Sequence, residues 1–204
     1  MNIDKIISQL QYLIENKEEQ FCMSKQEVLR ILKDQIRISR PKFKVVILDY
    51  PPDYIMNTMV VAGMSKQDIL QLRNQTGGVT APVEDIIANK IKTAKEDTIW
   101  FFSEVLRELP INFPQEIPND PMVLEKIIRI TVRHECRHAE QYLCLRKYGY
   151  DVLESIDLEG KAQKYGAGPA ESDAIENQCS DVQEPISEFL NKYREAFTRF
   201  RSGK

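Results

Sequence analysis

A long helical segment, residues 122–148, most strongly constrains what this chain can fold into. Asp120 can cap the helix, Pro121 suits its first position, and Gly149 supplies a stop. At 1.5 Å per residue such a helix is about 40 Å long. We therefore expect it to be the central element of the 204-residue chain.

The only two histidines of the chain lie in this segment. His134 and His138 are four residues apart, so they share one face of a helix, and their imidazoles can converge on a single cation. Zinc is the usual occupant of such nitrogen-rich sites. Glu135 points roughly a quarter turn away, where a carboxylate can take a proton from a metal-bound water and leave a hydroxide nucleophile. The spacing predicts a zinc site with Glu135 as the general base.

The stretch HECRH, residues 134–138, resembles the HExxH helix of the zinc-dependent metallopeptidases called zincins. The resemblance covers residues 122 to about 178, and it implies a third protein ligand beside an open position for water. Metzincins extend the motif as HExxHxxGxxH, whereas Gln141 and Cys144 stand at the last two defined positions here. Because the helical pattern continues without a break, residue 144 is too far along the axis to reach the metal.

In the gluzincin group of zincins, the third ligand is a glutamate on a later helix. The segment GPAESDAIENQ, residues 168–178, is similar to the third-ligand segment of small gluzincin-like proteins. This similarity implies that Glu171 is the third metal ligand. Asp173 is the second choice and Glu176 the third, since they lie farther round or along the short helix expected there.

Other side chains near the motif could support the zinc. A zinc-bound histidine usually donates its other ring nitrogen to a carboxylate or carbonyl, and Asp173 or Glu140 could accept that hydrogen bond. Tyr165 could stabilise the oxyanion during attack on a peptide carbonyl, although a loop aromatic is the simpler interpretation. Arg137 faces away from the metal side of the helix, and we expect it to be structural.

The remaining patterns predict a small sheet in an otherwise helical chain. FKVVILDY, residues 43–50, is rich in β-branched residues and predicts a strand, with 58–63 as a possible partner. The Gly-Gly pair in 74–80 indicates a loop. The segment 99–109 favours a helix, although its aromatic cluster would also suit a strand. A proline-rich stretch, 110–121, separates it from the long helix.

Apolar residues at helical spacing predict further helices at 3–13, from Ser24 to about Ile38, after Pro82, at 170–178 and at 186–200. The sequence MSKQEVL at 23–29 nearly repeats as MSKQDIL at 64–70. We interpret the echo as reuse of a good helix start, with a duplicated helical unit as the alternative.

Together these elements predict an α+β fold: a predominantly helical, zincin-like domain with a small sheet and a long central HExxH helix. We expect one domain, 1–204, of two lobes. Residues 1–120 would form an N-terminal lobe of helices and the small sheet. Residues 121–204 would carry the HExxH helix, the third-ligand helix and a C-terminal helix.

Composition narrows the class of protein. The net charge is −3, and no long run of one sign gives the footprint of a nucleic-acid binder. The acidic, amphipathic first residues do not resemble a secretory signal, and no apolar stretch reaches the length of a membrane span. The four cysteines form no CxxC pair, which fits free thiols in a reducing compartment. We therefore expect a cytoplasmic protein with neither a nucleic-acid nor a membrane partner.

The favoured function is a zinc-dependent hydrolase of the gluzincin type, namely a peptidase acting on a peptide or protein. In zincins an extended substrate often pairs with a sheet edge above the active helix, and the strand near 43–49 or 58–62 is the candidate edge. The alternative is a non-catalytic structural or regulatory metal protein, with its site closed by Asp173 or Cys179. A third hypothesis is a metal-free interaction protein built on the repeated MSKQ helices.

Overall fold

The computed structural model describes residues 20–59, 64–91, 94–162, 168–179 and 185–201. In these ranges the chain is predominantly helical with one small sheet, so the predicted α+β class is confirmed. No helix in these ranges is both long and apolar enough to cross a membrane. The elements in chain order are α1 (Lys25–Ser39), β1 (Lys44–Leu48), α2 (Asp53–Met59), α3 (Lys66–Gln75), β2 (Gly78–Ala81), α4 (Val83–Ala88), β3 (Thr98–Phe102), α5 (Ser103–Asn112), α6 (Pro121–Lys147), α7 (Val152–Ala162), α8 (Pro169–Gln178) and α9 (Ile186–Arg201).

The long helix α6 begins and ends where its sequence predicts. The Asp120 carboxylate accepts hydrogen bonds from the first backbone amides, and Pro121 occupies the first turn. After Lys147 the chain turns at Gly149, whose φ of 76° lies in the left-handed region that favours glycine. One face of α6 lies in the main core with α1, α5 and the sheet, and contributes Leu124, Ile128, Val132, Cys136 and Ala139.

The two MSKQ segments start helices by the same mechanism. Ser24 and Glu27 form a capping box at α1, and Ser65 and Asp68 form the equivalent box at α3. The helices then differ, because α1 buries an apolar face whereas α3 has no buried residue. This difference agrees with reuse of a helix start.

The sheet has the strand order β1-β3-β2, with β1 parallel and β2 antiparallel to β3. All five residues of β3 are buried. Ile99 and Phe101 face the main core, while Trp100 and Phe102 pack in a second cluster with α2 and α4. The central strand is therefore covered on both faces.

Three predictions for this region are wrong. Residues 99–102 are strand β3, and a helix begins only at Ser103, because a strand buried on both faces lacks the alternation that identifies strands. The predicted loop at 74–80 contains the end of α3 and the start of β2. In the predicted strand 58–63, residues 58 and 59 end α2, and residues 60–63 lie outside the described residues.

The other helices follow the predictions with two differences. Helix α5 continues through Pro110 to Asn112, into the stretch expected to be a separator. Helices α2 and α7 were not predicted. Helices α8 and α9 lie where expected, and α9 buries Leu190, Tyr193 and Phe197. The predicted helix at 3–13 lies outside the described residues.

Candidate metal centre

Two histidines from α6 and one glutamate from α8 converge on one point. The Nε2 atoms of His134 and His138 are 3.0 Å apart. The Glu171 carboxylate lies beside both, with Oε1 3.6 Å from Nε2 of His134 and Oε2 3.3 Å from Nε2 of His138. One candidate ligand atom from each residue lies within 4.8 Å of the others. The structure therefore brings together the three residues predicted as ligands.

Helix α8 is joined to α6 by a buried ion pair beside these residues. The Asp173 carboxylate accepts hydrogen bonds from Nε of Arg137 at 2.6 Å and from Nη2 at 2.9 Å. Asp173 is 0% exposed and Arg137 is 2% exposed. A two-pronged arginine–carboxylate contact fixes geometry as well as charge. Asp173, the second choice as a metal ligand, is thus committed to holding the two helices together.

The first turn of α8, which carries Glu171, is capped by a carboxylate from α7. Oε1 of Glu159 accepts a hydrogen bond from the Ala170 amide at 2.8 Å, and Oε2 accepts one from the Glu171 amide at 3.4 Å. A Cβ atom at Gly168 would lie 2.0 Å from Oε2 of Glu159, so glycine leaves room for the cap. Burial raises the pKa of Glu159, and these amide hydrogen bonds oppose the shift.

Both histidines direct Nδ1 to a glutamine. Nδ1 of His134 lies 3.1 Å from Oε1 of Gln178, and Nδ1 of His138 lies 2.8 Å from Oε1 of Gln141. The prediction of Asp173 or Glu140 as the direct acceptor is therefore wrong, because Glu140 pairs with Arg137 instead. With Nδ1 engaged in this way, each ring presents Nε2 to Glu171.

The charges of His138 and Glu171 affect each other's pKa. Burial alone would lower the pKa of His138, but its hydrogen bond to the Glu171 carboxylate and the charges of Glu135 and Glu171 raise it to about 9. Hydrogen bonds from His134 and His138 hold the pKa of Glu171 well below its usual range. The imidazole lone pairs and the negative charge of Glu171 also suit a divalent cation, which would displace the proton that His138 shares with Glu171.

The side chain of Glu135 extends from α6 to β2, a strand at the edge of the sheet. It is 7% exposed, and its Oε2 lies 2.7 Å from the Thr80 hydroxyl, which also lies 2.9 Å from the Glu135 carbonyl oxygen. A Cβ atom at Gly78 would lie 2.8 Å from Cγ of Glu135. Strand β2 therefore fixes where the carboxylate can lie.

Sequence reasoning missed the side chains that surround the three predicted ligands. Gln141 was noted only as a departure from the metzincin pattern, although it is three residues from His138 on the same helix face. Thr80 and Gly78 fell in the predicted loop. Glu159 and Gln178 carried no recognisable pattern.

The other residues considered at this site lie elsewhere. Glu176 forms an ion pair with Lys192 at 2.6 Å, and Cys179 is exposed. Tyr165 lies outside the described residues. Within the part of the chain that the structure describes, the group has no fourth member, whether histidine, cysteine or acidic residue. Two imidazoles and one carboxylate are a donor set that fits catalytic zinc with one position left for water.

Comparisons of the chain with models of protein families, with curated proteins and with solved structures found no match. The functional conclusion therefore depends on the residues of the site.

Proposed function

We propose that this chain is a zinc-dependent peptidase of the gluzincin type, with His134, His138 and Glu171 as metal ligands. The observation that supports it most directly is the meeting of two histidines and one glutamate, side chains known as ligands in catalytic zinc sites, contributed by two helices. Glu135 follows the first ligand directly in sequence and is held separately from the three. Zinc is the metal of choice because nitrogen donors predominate.

Glu135 is the general base of the proposed reaction. Zinc, when bound, would lower the pKa of its water and polarise the substrate carbonyl. The Thr80 hydroxyl holds Oε2 of Glu135, which leaves Oε1 to take a proton from that water and pass it to the leaving amine. The histidines and Glu171 would hold the metal, and the Asp173–Arg137 pair keeps α8 in place.

Strand β2 is the proposed substrate edge. It is one edge strand of the sheet and contacts Glu135 of α6, whereas β1 is the opposite edge strand. A peptide added as a further strand along β2 would run beside the general base. Strand β2 therefore replaces the strands at 43–49 and 58–62 as the candidate substrate edge.

A cytoplasmic location is part of the proposal. None of the four cysteines is paired in a disulfide, which suits a reducing compartment.

The direct test is hydrolysis of a quenched fluorescent peptide library by untagged protein loaded with one equivalent of zinc. We expect cleavage that stops on chelation and returns when zinc is restored. Zinc-loaded protein that cleaves no member of a diverse library, and no unfolded protein, would refute the peptidase proposal. Zinc binding without hydrolysis would favour the non-catalytic metal protein.

A further inference from the structure

The orientation of the Gln141 amide is determined by its neighbours. Its Nε2 lies 2.9 Å from the Ala170 carbonyl oxygen and 2.7 Å from Oδ2 of Asp173. A carbonyl and a carboxylate oxygen can only accept hydrogen bonds, so the amide must present its NH₂ group to them. The amide oxygen must then face His138.

This orientation in turn determines the protonation pattern of His138. An amide oxygen can only accept, so Nδ1 of His138 carries the hydrogen of their 2.8 Å contact. In a neutral ring the remaining nitrogen, Nε2, then bears a lone pair. That lone pair faces His134 and Glu171, in the direction needed to bind a metal.

The Asp173 carboxylate is held by several contacts besides the one with Gln141. Besides the bond from Gln141, it accepts hydrogen bonds from Nε and Nη2 of Arg137. Nδ2 of Asn177 also lies 3.4 Å from its Oδ1. It is completely buried, so it has no alternative partner in solvent. It is also only two residues from Glu171 in α8.

We propose that Asp173 is a positioning residue for His138 and acts through Gln141. Helix α8 then places two of the three ligands, Glu171 directly and His138 through the contacts of Asp173 with Gln141. Its last turn supports the third ligand in the same way, because Gln178 receives Nδ1 of His134. This inference rests on the proposed metal site but does not require that the site hydrolyse peptides.

The consequence is a metal site in which neutral amides, rather than carboxylates, accept from both histidines. The negative charge of Asp173 is one residue removed from the ring and is balanced by Arg137. Packing of α8 against α6 therefore also orients the His138 ring for metal binding. Loss of the Gln141 contact should therefore weaken metal binding without removing any ligand.

The test compares Gln141→Met with the control Gln71→Met. The first variant keeps the length of the side chain but removes the amide. The second makes the same change at an exposed residue of α3, a helix that buries no residue. Zinc affinity is measured by competition with a chromophoric chelator. We expect the Met variant to bind zinc about 10- to 100-fold more weakly, as for other outer partners of metal ligands, and the control to match wild type.

Nitrogen-15 NMR supplies a readout that general destabilisation would not reproduce. Because the chain has two histidines, the zinc-loaded protein should show two protected Nδ1–H signals. In Gln141→Met the His138 signal should lose its protection from solvent exchange while the His134 signal persists. The control should retain both.

Equal zinc affinity and two protected signals in Gln141→Met would overturn the proposal. Gln141→Asn keeps a polar amide but is one methylene too short to span the contacts, so it provides the same test if the Met variant does not fold. We expect the Asn variant to show the same loss, and wild-type affinity in that folded variant would equally overturn the proposal. Wild-type protein that binds no zinc would refute the metal site itself.

Discussion

Nε2 of His134 and Nε2 of His138 lie 3.0 Å apart on neighbouring turns of α6, and both are directed to the Glu171 carboxylate. This relationship depends on more than helical spacing. Each Nδ1 is held by a glutamine, so the rings cannot turn without breaking a hydrogen bond. Hydrogen bonds at Nδ1 thus hold both rings with Nε2 directed to the same point.

Replacing Glu135 with Gln should separate catalysis from metal binding. The amide cannot take a proton from water, so we expect hydrolysis to fall by about 10²- to 10⁴-fold. Zinc stoichiometry should remain one per chain, because Glu135 is not one of the three proposed ligands. The measurement is kcat/KM alongside metal content. Equal activity in the variant and wild type would show that Glu135 is not the base.

Replacing Glu171 with Gln should weaken zinc binding itself. Wild-type protein with zinc at a hundredfold excess over its Kd should gain about 2.7 kcal/mol of stability, and the variant should lose most of this gain. Glu176→Gln is the matched control, since Glu176 is on the same helix and pairs with Lys192. Differential scanning calorimetry with and without zinc measures both. A zinc-dependent gain in Glu171→Gln that equals wild type would exclude Glu171 as a ligand.

Gly78→Ala should impair turnover more than zinc binding. The added Cβ would lie 2.8 Å from Cγ of Glu135 and 3.2 Å from Cδ1 of Phe101, so the Glu135 side chain, the proposed base, must shift. Small displacements of catalytic groups are costly, and we expect kcat to fall by about 10- to 100-fold. Gly149→Ala is the control. Its Cβ meets nothing within 4 Å, so it should lower stability by about 1 kcal/mol through its positive φ and leave kcat unchanged. The prediction fails if both variants keep wild-type kcat.

The stability of the protein should depend on pH through Arg146, whose guanidinium contacts both Asp97 and Glu84. Its hydrogen bonds lower the pKa of Glu84. Burial raises the pKa of Asp97, but the hydrogen bonds from Arg146 and from the Val83 amide, together with the charge of Arg146, outweigh burial and lower that pKa too. Because the unfolded chain has the ordinary values of 4.5 and 3.8, this stabilisation is complete above them and is lost as pH falls through the lower folded-state pKa values.

Arg146→Met should therefore reduce the free energy of unfolding by about 2 kcal/mol near neutral pH, because hydrogen bonds between charged groups are lost. The difference from wild type should shrink in strongly acidic solution, as measured by urea unfolding from pH 7 to pH 2. A difference that stays constant over this range would contradict the assignment.

The parts of the site that were predictable from sequence are those encoded locally. The limits of α6 follow from Asp120, Pro121 and Gly149, and the facing of His134 and His138 follows from their spacing. Glu171 was reached only through a resemblance, because nothing local to α8 distinguishes a ligand from a first-turn carboxylate.

The remaining features depend on contacts between distant segments. The role of Gln141 becomes visible only when α8 packs on α6, which places Asp173 beside it. Strand β3 was mistaken for helix because both of its faces are buried. Strand β2 was hidden by the Gly77–Gly78 pair at its start, although its Thr80 contacts Glu135.

The most direct test of the metal site is a crystal structure of untagged, zinc-loaded protein with diffraction data collected on both sides of the zinc absorption edge. We predict one anomalous peak per chain, bound by Nε2 of His134, Nε2 of His138 and the Glu171 carboxylate, with a non-protein oxygen in the remaining position. A peak elsewhere, a fourth protein ligand closing the site, or no peak between the two imidazoles would contradict the proposed metal centre.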